Sequence, residues 1–207
     1  MKILAFSDLH HEEAAMESLA KLAKNHDYVF ICGDISRTEV FIDDVLASFP
    51  SAFIIPGNWD SKHVNELLSN APQYIHEKRA EIRDGLNVVG FGFSTPTPFG
   101  TFGELSEEEI YLRMSKLNID QKTLLLLHCP PKGAFDEAFL RHIGSNSIKK
   151  IIEEKKPLAA FFGHAHEHFG TAMLGQTYLI KIPPANSMSA CSIEIKNSDF
   201  EVEFVKL

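Results

Sequence analysis

The sequence predicts an α/β fold in which two β-sheets lie between outer helical layers. Strand-like and helix-like segments alternate over residues 2–70, which is typical of a parallel sheet covered by helices. The turn Asp84-Gly85 joins two further strand-like runs and predicts an antiparallel hairpin. Strand-like alternation returns from Thr171 onward. With 207 residues and no linker-like segment, the chain is expected to form one domain over residues 1–207.

The first part of the chain holds three apolar runs that end in polar residues, as buried strands do. Each run is followed by apolar residues at helical spacing. The strand segments are KILAF (2–6), DYVFIC (27–32) and AFIIP (52–56). The helical segments are 12–25, 38–48 and 64–70. The order strand, helix, strand, helix, strand predicts a parallel sheet.

The second part of the chain has a more varied pattern. Residues 92–105 are rich in Gly, Pro, Thr and Phe and predict a long surface loop, a feature that usually serves a function. Ser106 and the three glutamates after it indicate the start of a helix. The remaining segments are strands at 123–128 and 158–164, a helix near 145–155, and tail strands in TYLIKI, SIEI and EVEFVKL.

Composition argues against several classes of protein. The residues are 44% hydrophobic and 23% charged, and no apolar run is long enough to span a bilayer. The start MKILAFSDLH does not resemble a secretory signal, and three widely spaced cysteines argue against a disulfide framework. We therefore expect a cytoplasmic protein. A net charge of −8 argues against a general nucleic-acid binder, whereas a nucleotide substrate is compatible with it.

Residue types that bind metals follow five of the predicted strands. In an open parallel sheet the carboxyl ends of the strands face a common crevice, so these residues are expected to converge. Carboxylates bind hard cations, imidazoles suit first-row metals, and an asparagine offers a neutral amide oxygen. One such fragment alone is weak, but five in order at strand ends are specific. The fragments are Asp8-Leu9-His10, Gly33-Asp34, Gly57-Asn58-Trp59-Asp60, His128 and Gly163-His164-Ala165-His166.

This series of motifs resembles that of the calcineurin-like metallophosphoesterase family. The family pattern is D-x-H, G-D, G-N-H-D/E, H and G-H-x-H, and the match extends from Asp8 to His166. The resemblance implies a four-layer α/β/β/α sandwich with two central mixed β-sheets. It also implies an enzyme that hydrolyses a small phosphoester substrate.

The resemblance assigns seven residues as ligands of two divalent metal ions. Asp8, His10 and His166 would bind the first ion, Asn58, His128 and His164 the second, and Asp34 would bridge both. Manganese is the expected metal, with iron or zinc as alternatives. In two-metal chemistry of this kind a bridging hydroxide attacks phosphorus, and the catalytic candidates are Asp34, Asn58 and His128.

The third motif departs from the family pattern at Trp59, where the family usually has a histidine. That histidine is thought to protonate the leaving group or to stabilise the transition state. An indole is only a hydrogen-bond donor, so the departure predicts a preference for phosphodiesters or small nucleotides. Trp59 is itself a candidate substrate contact through stacking on an aromatic group, the alternative being that it packs the loop. Asp60 is expected to cap the helix that begins near Ser61.

Two other functions stay open on the sequence. A metal-binding scaffold for protein partners, with weak or no catalysis, would also account for the missing histidine at Trp59. A mononuclear zinc hydrolase needs only three protein ligands and leaves Asp34 unexplained. His11 is an alternative acid, more simply explained as an exposed histidine at a helix start. Phe99 and Phe102 are candidates for one wall of a substrate cleft.

Overall fold

Two mixed β-sheets pack face to face, and helices cover the outer surface of each. The structure, a computed structural model, describes residues 1–138, 140–196 and 199–207. The helices are α1 (Glu13–Ala23), α2 (Glu39–Ser48), α3 (Lys62–Ser69), α4 (Glu107–Ser115) and α5 (Asn146–Lys155). The strands are β1 (Lys2–Phe6), β2 (Tyr28–Cys32), β3 (Ala52–Ile55), β4 (Arg79–Glu81), β5 (Asn87–Phe91), β6 (Thr123–Leu127), β7 (Glu137–Ala138), β8 (Arg141–His142), β9 (Ala159–Phe162), β10 (Gly170–Leu174), β11 (Thr177–Lys181), β12 (Ser189–Lys196) and β13 (Asp199–Lys206).

The first sheet has the strand order β13-β12-β1-β2-β3. Its strands β1, β2 and β3 run parallel, as the alternation of strand and helix patterns predicted. The tail strand β12 pairs antiparallel with β1, and β13 pairs antiparallel with β12 at the edge. The carboxyl ends of β1, β2 and β3 therefore lie side by side at one end of this sheet.

The second sheet has the strand order β10-β11-β9-β6-β5-β4. Its central strands β5, β6, β9 and β11 are parallel, whereas the edge strands β4 and β10 are antiparallel to their neighbours. The predicted hairpin is β4–β5, and Asp84 and Gly85 at its turn have φ of 63° and 69°. The carboxyl ends of β6 and β9 are neighbours in this sheet, as are those of the parallel strands in the first.

Alternating side chains of the strands separate the core into layers. Leu4 and Phe6 of β1 pack outward against the helices α1, α2 and α3, whereas Ile3 faces the second sheet. In β6, Leu126 lies between the sheets and Leu127 packs outward with residues of α4 and α5. A strand that is buried on both faces is a continuous apolar run, which is why residues 3–6 and 124–127 carry no polar side chain. The predicted four-layer α/β/β/α sandwich is confirmed.

Serine residues begin three of the helices. The Ser106 hydroxyl accepts a hydrogen bond from the Glu109 N–H, and the Glu109 carboxylate accepts one from the Ser106 N–H, which forms a capping box. The side chains of Ser61 and Ser145 cap α3 and α5 in the same position. The helix predicted over 64–70 therefore begins earlier, because Ser61 supplies its cap.

One pair of strands was not predicted from the sequence. Strands β7 and β8 pair antiparallel with two residues in each strand, which is too short to show an alternating pattern. Strand β10 forms the edge of the second sheet and lies where strand-like alternation was expected from Thr171 onward. Within the described residues, no helix combines the length and apolar character that crossing a membrane requires.

Candidate metal centre

Five strand ends bring the candidate ligands to one place between the two sheets. Asp8, Asp34 and Asn58 follow strands of the first sheet, and His128 and His164 follow strands of the second. The backbone turns sharply there, because φ is positive, between 47° and 72°, at Asp8, His10, Asp34 and His164. Residues other than glycine rarely adopt this conformation, and such residues concentrate at functional sites. The convergence expected from the sequence is present.

Asp8, His10 and His166 form the first group of candidate ligands. Each offers one ligand atom, and these atoms lie within 4.8 Å of one another. Nε2 of His166 is 3.2 Å from Oδ1 of Asp8, and the rings of His10 and His166 are 5.6 Å apart. Asp8 is fully buried, and its second oxygen, Oδ2, accepts a hydrogen bond of 3.0 Å from the backbone N–H of His164.

Asp34, His128 and His164 form the second group, again with ligand atoms within 4.8 Å of one another. Oδ2 of Asp34 is 3.5 Å from Nε2 of His128. The same oxygen is 3.9 Å from Nε2 of His10, which belongs to the first group. Asp34 therefore lies between the two groups, at the position of a bridging carboxylate. Its other oxygen, Oδ1, accepts a hydrogen bond of 2.8 Å from the backbone N–H of Trp59.

Asn58 lies against the second group. Its Oδ1 is 3.0 Å from Nε2 of His128, and its Nδ2 donates a hydrogen bond of 2.8 Å to the hydroxyl of Thr101. Nδ1 of His128 is 2.8 Å from the backbone oxygen of Cys32. Because a carbonyl oxygen only accepts, Nδ1 carries a proton, and Nε2 is the ring nitrogen that a metal ion could use. This is the hydrogen-bonding arrangement that orients a metal-binding histidine.

The side chains present here fit two metal ions. Among the described residues, three buried side-chain polar atoms have no hydrogen-bond partner, and two of them are Asp8 Oδ1 and His164 Nε2. Buried polar atoms are nearly always satisfied, so two neighbouring exceptions need a partner that a cation would supply. His166 approaches Asp8 Oδ1 without an aligned N–H, as two ligands of one ion do. The mixture of carboxylate, imidazole and amide donors suits first-row metals such as manganese, iron and zinc.

Charges in the centre shift the ionisation of its members. Burial and the neighbouring His128 together lower the pKa of His164 to about 3. Burial also acts to lower the pKa of His128, but the carboxylates of Asp34 and Asp8 outweigh it and raise the value to about 9. Burial acts to raise the pKa of Asp8, and the nearby imidazoles of His166 and His128 hold it well below its usual range instead. The carboxylates thus stabilise positive charge at this place.

Asp60 does not cap α3, contrary to the expectation from the sequence. Its fully buried carboxylate accepts four backbone N–H hydrogen bonds, from Gly57 (2.7 Å), Asp34 (3.1 Å), Ile35 (2.8 Å) and Ser36 (3.0 Å). The cap belongs to the neighbouring Ser61. Asp60 instead ties the loop after β2, which carries Asp34, to the loop after β3, which carries Asn58.

Two glycines allow these loops to approach each other. Gly33 has a φ of 88°, and a Cβ there would lie 2.6 Å from Cα of Gly57. A Cβ on Gly57 would in turn collide with the carboxylate of Asp34. Any side chain at either position would push the loops apart, so both candidate ligands depend on glycine at the preceding residue.

Trp59 is half-buried and lines a cavity of about 220 Å³ beside the centre. His10, Asp34 and Arg37 also line this cavity. The guanidinium carbon of Arg37 is 5.4 Å from the centre of the Trp59 ring, and the Phe99 ring centre is 5.8 Å away. The indole therefore contacts the 92–105 loop and also faces open space, so packing alone does not describe its position.

Other residues named from the sequence lie around this cavity or outside it. His11 is exposed and stacks on Phe41, and its Nδ1 is 3.0 Å from the hydroxyl of Ser36. Phe102 packs edge-on against Phe93 and does not line the cavity. Thr101 accepts a hydrogen bond from Asn58, and Glu104 accepts hydrogen bonds from Thr101, but no sequence pattern indicated either residue. They lie in a loop without periodicity or a recognisable motif.

The chain is similar in sequence to an uncharacterized protein of Methanocaldococcus jannaschii. The two are 32% identical over 197 residues, which cover 89% of this chain and 88% of that protein. The fold of this chain is similar to that of a Thermus thermophilus protein, with a TM-score of 0.76 at 18% identity over 98% of this chain and 97% of the other. A dimetal phosphatase from Danio rerio also shares the fold, with a TM-score of 0.63 at 11% identity over 100% and 98% of the two chains.

The match to a protein family extends over most of the chain. Residues 1–181 match the family model described as the calcineurin-like phosphoesterase superfamily domain, and this range contains all of the candidate ligands. The motif order, the two-sheet sandwich and this match agree, and the chain belongs to the calcineurin-like phosphoesterase superfamily.

Proposed function

We propose that this protein is a phosphoesterase that depends on two divalent metal ions. The observation that carries the proposal is the position of Asp34, whose Oδ2 lies 3.9 Å from His10 and 3.5 Å from His128. A carboxylate shared by two groups of histidine and aspartate residues is what a binuclear centre requires. A mononuclear site would use one group and leave a buried polar atom of the other, Asp8 Oδ1 or His164 Nε2, without a partner.

Seven side chains would hold the two ions. The first ion would be held by Asp8, His10 and His166, the second by Asn58, His128 and His164, with Asp34 shared. When bound, two such ions stabilise charge on the phosphate oxygens and lower the pKa of a water molecule, which provides the attacking hydroxide. We propose manganese as the metal, with iron or zinc as alternatives. The three buried free cysteines fit the cytoplasmic location that we propose.

Backbone hydrogen bonds orient three of the candidate ligands. The Trp59 N–H holds Asp34 through Oδ1, the Cys32 carbonyl holds the His128 ring, and the His164 N–H holds Asp8 through Oδ2. These three candidate ligands thus use one side-chain atom for a bond to the backbone and keep another for the centre. Orientation fixed before the substrate arrives reduces the entropy that the reaction would otherwise lose.

The residue at position 59 bears on the substrate. An indole has no exchangeable proton to give near neutral pH, so esters with poor leaving groups lose the help of an acid there. We propose that phosphodiesters or small nucleotides are preferred. The 220 Å³ cavity is smaller than the roughly 300–1,000 Å³ that a whole ligand usually occupies, so it would take one substituent of the phosphate. Trp59 would contact that substituent.

Turnover of a chromogenic diester tests this proposal. Protein loaded with Mn²⁺ should bind close to two ions per chain by elemental analysis and should hydrolyse bis(4-nitrophenyl) phosphate. A matched control is the exposed His142, which lies outside both groups, so His142→Ala should retain metal and activity. A ratio that stays near one ion per chain would exclude the binuclear centre. Two ions without turnover on any monoester, diester or cyclic nucleotide would favour the scaffold function instead.

A further inference from the structure

The amide of Asn58 has two chemically different ends, and only its oxygen can bind a cation. An asparagine side chain fits almost equally well when its amide is rotated by half a turn. In the rotated state the NH₂ group would face His128, and the second group would lose a ligand atom. Something must therefore select the orientation in which Oδ1 lies 3.0 Å from Nε2 of His128.

The partner on the other side of the amide is the hydroxyl of Thr101. Nδ2 of Asn58 donates a hydrogen bond of 2.8 Å to Thr101 Oγ1. A hydroxyl can both accept and donate a hydrogen bond, so Thr101 alone could pair with either the NH₂ group or the oxygen of the amide. The selection depends on where the proton of this hydroxyl points.

Glu104 fixes that proton. Oε1 of Glu104 accepts hydrogen bonds from the Thr101 hydroxyl at 2.6 Å and from the Thr101 N–H at 2.8 Å. The hydroxyl of Thr97 donates to the same oxygen at 2.6 Å. An ionised carboxylate only accepts, so the Thr101 proton is committed to Glu104 and its lone pair faces Asn58. Only the NH₂ end of the amide is then favourable at Thr101.

Backbone contacts hold Thr101 and Glu104 beside Asn58. The N–H of Gly103 donates a hydrogen bond of 3.1 Å to the backbone oxygen of Asn58, and a Cβ on Gly103 would lie 2.8 Å from Cα of Asn58. The 92–105 loop therefore packs directly against Asn58, whose amide contacts Thr101 of the same loop. Burial acts to raise the pKa of Glu104, and the hydrogen bonds from Thr101 and Thr97 lower it overall, so the carboxylate is charged at neutral pH.

We infer that Glu104 and Thr101 are positioning residues that turn the oxygen of Asn58 toward the second metal ion. The inference rests on the proposed function, because it takes Asn58 as a ligand. Partners of this kind typically change metal affinity by about 10- to 100-fold when they are removed. Neither residue is one of the seven candidate ligands, and neither lines the cavity beside the centre, so their effect should appear first in metal binding.

The test compares two threonines in the same loop. Thr101→Val removes the hydroxyl that contacts Asn58, and Thr97→Val removes a hydroxyl that donates to the same Glu104 oxygen without contacting Asn58. Both threonines are half-buried. Mn²⁺ binding to the chelator-treated full chain, measured by calorimetry, should weaken at one of the two sites by about 10- to 100-fold in Thr101→Val and far less in Thr97→Val. Equal losses would mean that the loop is merely loosened, and the inference would be wrong.

A second comparison asks whether orientation is what matters. A carboxylate has two equivalent oxygens and no orientation to select, so Thr101→Val in an Asn58→Asp background should not weaken Mn²⁺ binding further. The same loss in both backgrounds would overturn the inference. Failure of the proposed function is recognised separately, because the unsubstituted chain would then bind fewer than two ions. Two ions in that chain with no effect of Thr101→Val would reject the positioning role alone.

Discussion

The substitution Asp60→Asn is expected to destabilise the protein strongly, although it replaces one oxygen by an NH₂ group. Oδ1 of Asp60 accepts the N–H groups of Ile35 and Ser36, and Oδ2 accepts those of Asp34 and Gly57. An asparagine can serve one of these pairs with its remaining oxygen. The other pair of backbone donors would then face a donor in place of an acceptor.

The size of the effect follows from these contacts. A buried donor that loses its acceptor costs ~1–3 kcal/mol, so two donors give a loss of ~2–6 kcal/mol in the free energy of unfolding. That loss is a large part of the ~5–15 kcal/mol by which a domain is usually stable. Burial and the charge of Asp34 raise the pKa of Asp60 to about 6, so the comparison belongs at pH 8, where the carboxylate is ionised.

Urea unfolding of the metal-free proteins at pH 8, followed by circular dichroism, measures this loss. Asp44 on α2 is exposed, so Asp44→Asn is a matched control that should change the free energy of unfolding by less than about 0.5 kcal/mol. A loss below ~1 kcal/mol in Asp60→Asn would mean that the four backbone donors find other acceptors. Asp60 would then not hold the two loops together.

Four further outcomes are expected. Asp34→Asn removes the charge shared by both groups, so elemental analysis after dialysis should show both ions reduced and turnover nearly lost; two retained ions would contradict the bridge. Trp59→His should raise kcat/KM for an alkyl monoester relative to an aryl diester, and an unchanged ratio with both metals bound would show that no acid is missing there. Trp59 is the chain's single tryptophan, so its fluorescence can be used to measure ligand binding. AMP should bind more tightly than ribose 5-phosphate, by about 5- to 150-fold in Kd if stacking of the base contributes ~1–3 kcal/mol; equal affinities would exclude stacking. Burial acts to raise the pKa of Asp120, but the hydrogen bond from Arg79 and its other partners lower it to about 2. Because the pKa of Asp120 is lower in the folded protein, its carboxylate stabilises the fold fully above the unfolded pKa, and this stabilisation is lost as the pH falls toward the folded pKa. Asp120→Asn should therefore cost about 1 kcal/mol or less at pH 7, because the side chain is 44% exposed. Urea unfolding should show this cost shrinking from about pH 4 toward pH 2, and a cost that does not change with pH would exclude the ionic contribution.

The architecture and the gathering of the candidate ligands could be predicted because both follow from local pattern. KILAF, DYVFIC and TLLLL are apolar runs that must be buried, and parallel strands end at a common edge. Asp8, Asp34 and His128 come directly after or within two residues of those runs, so their meeting required no knowledge of side-chain contacts.

The partners of Asp60 and Asn58 could not be predicted because they depend on distant loops. Asp60 and Ser61 are both good cap residues by type, and only the approach of the loop at residues 34–36 decides that Asp60 is used elsewhere. Thr101 is 43 residues from Asn58, in a segment whose composition predicts only a loop. Hydrogen bonds between irregular segments leave no periodic trace in a sequence.

Each group of candidate ligands draws on both sheets. The first combines Asp8 and His10 after β1 with His166 after β9, and the second combines Asp34 after β2 with His128 and His164 from the other sheet. A bound ion would therefore act as a cross-link between layers, and the first ion would join Asp8 to His166, which are 158 positions apart in the sequence (166 − 8). Because such a centre exists only when the layers are docked, metal release and global unfolding would be coupled. The midpoint of unfolding would then depend on the free metal concentration. The stabilities of variants can therefore be compared only at one fixed metal concentration.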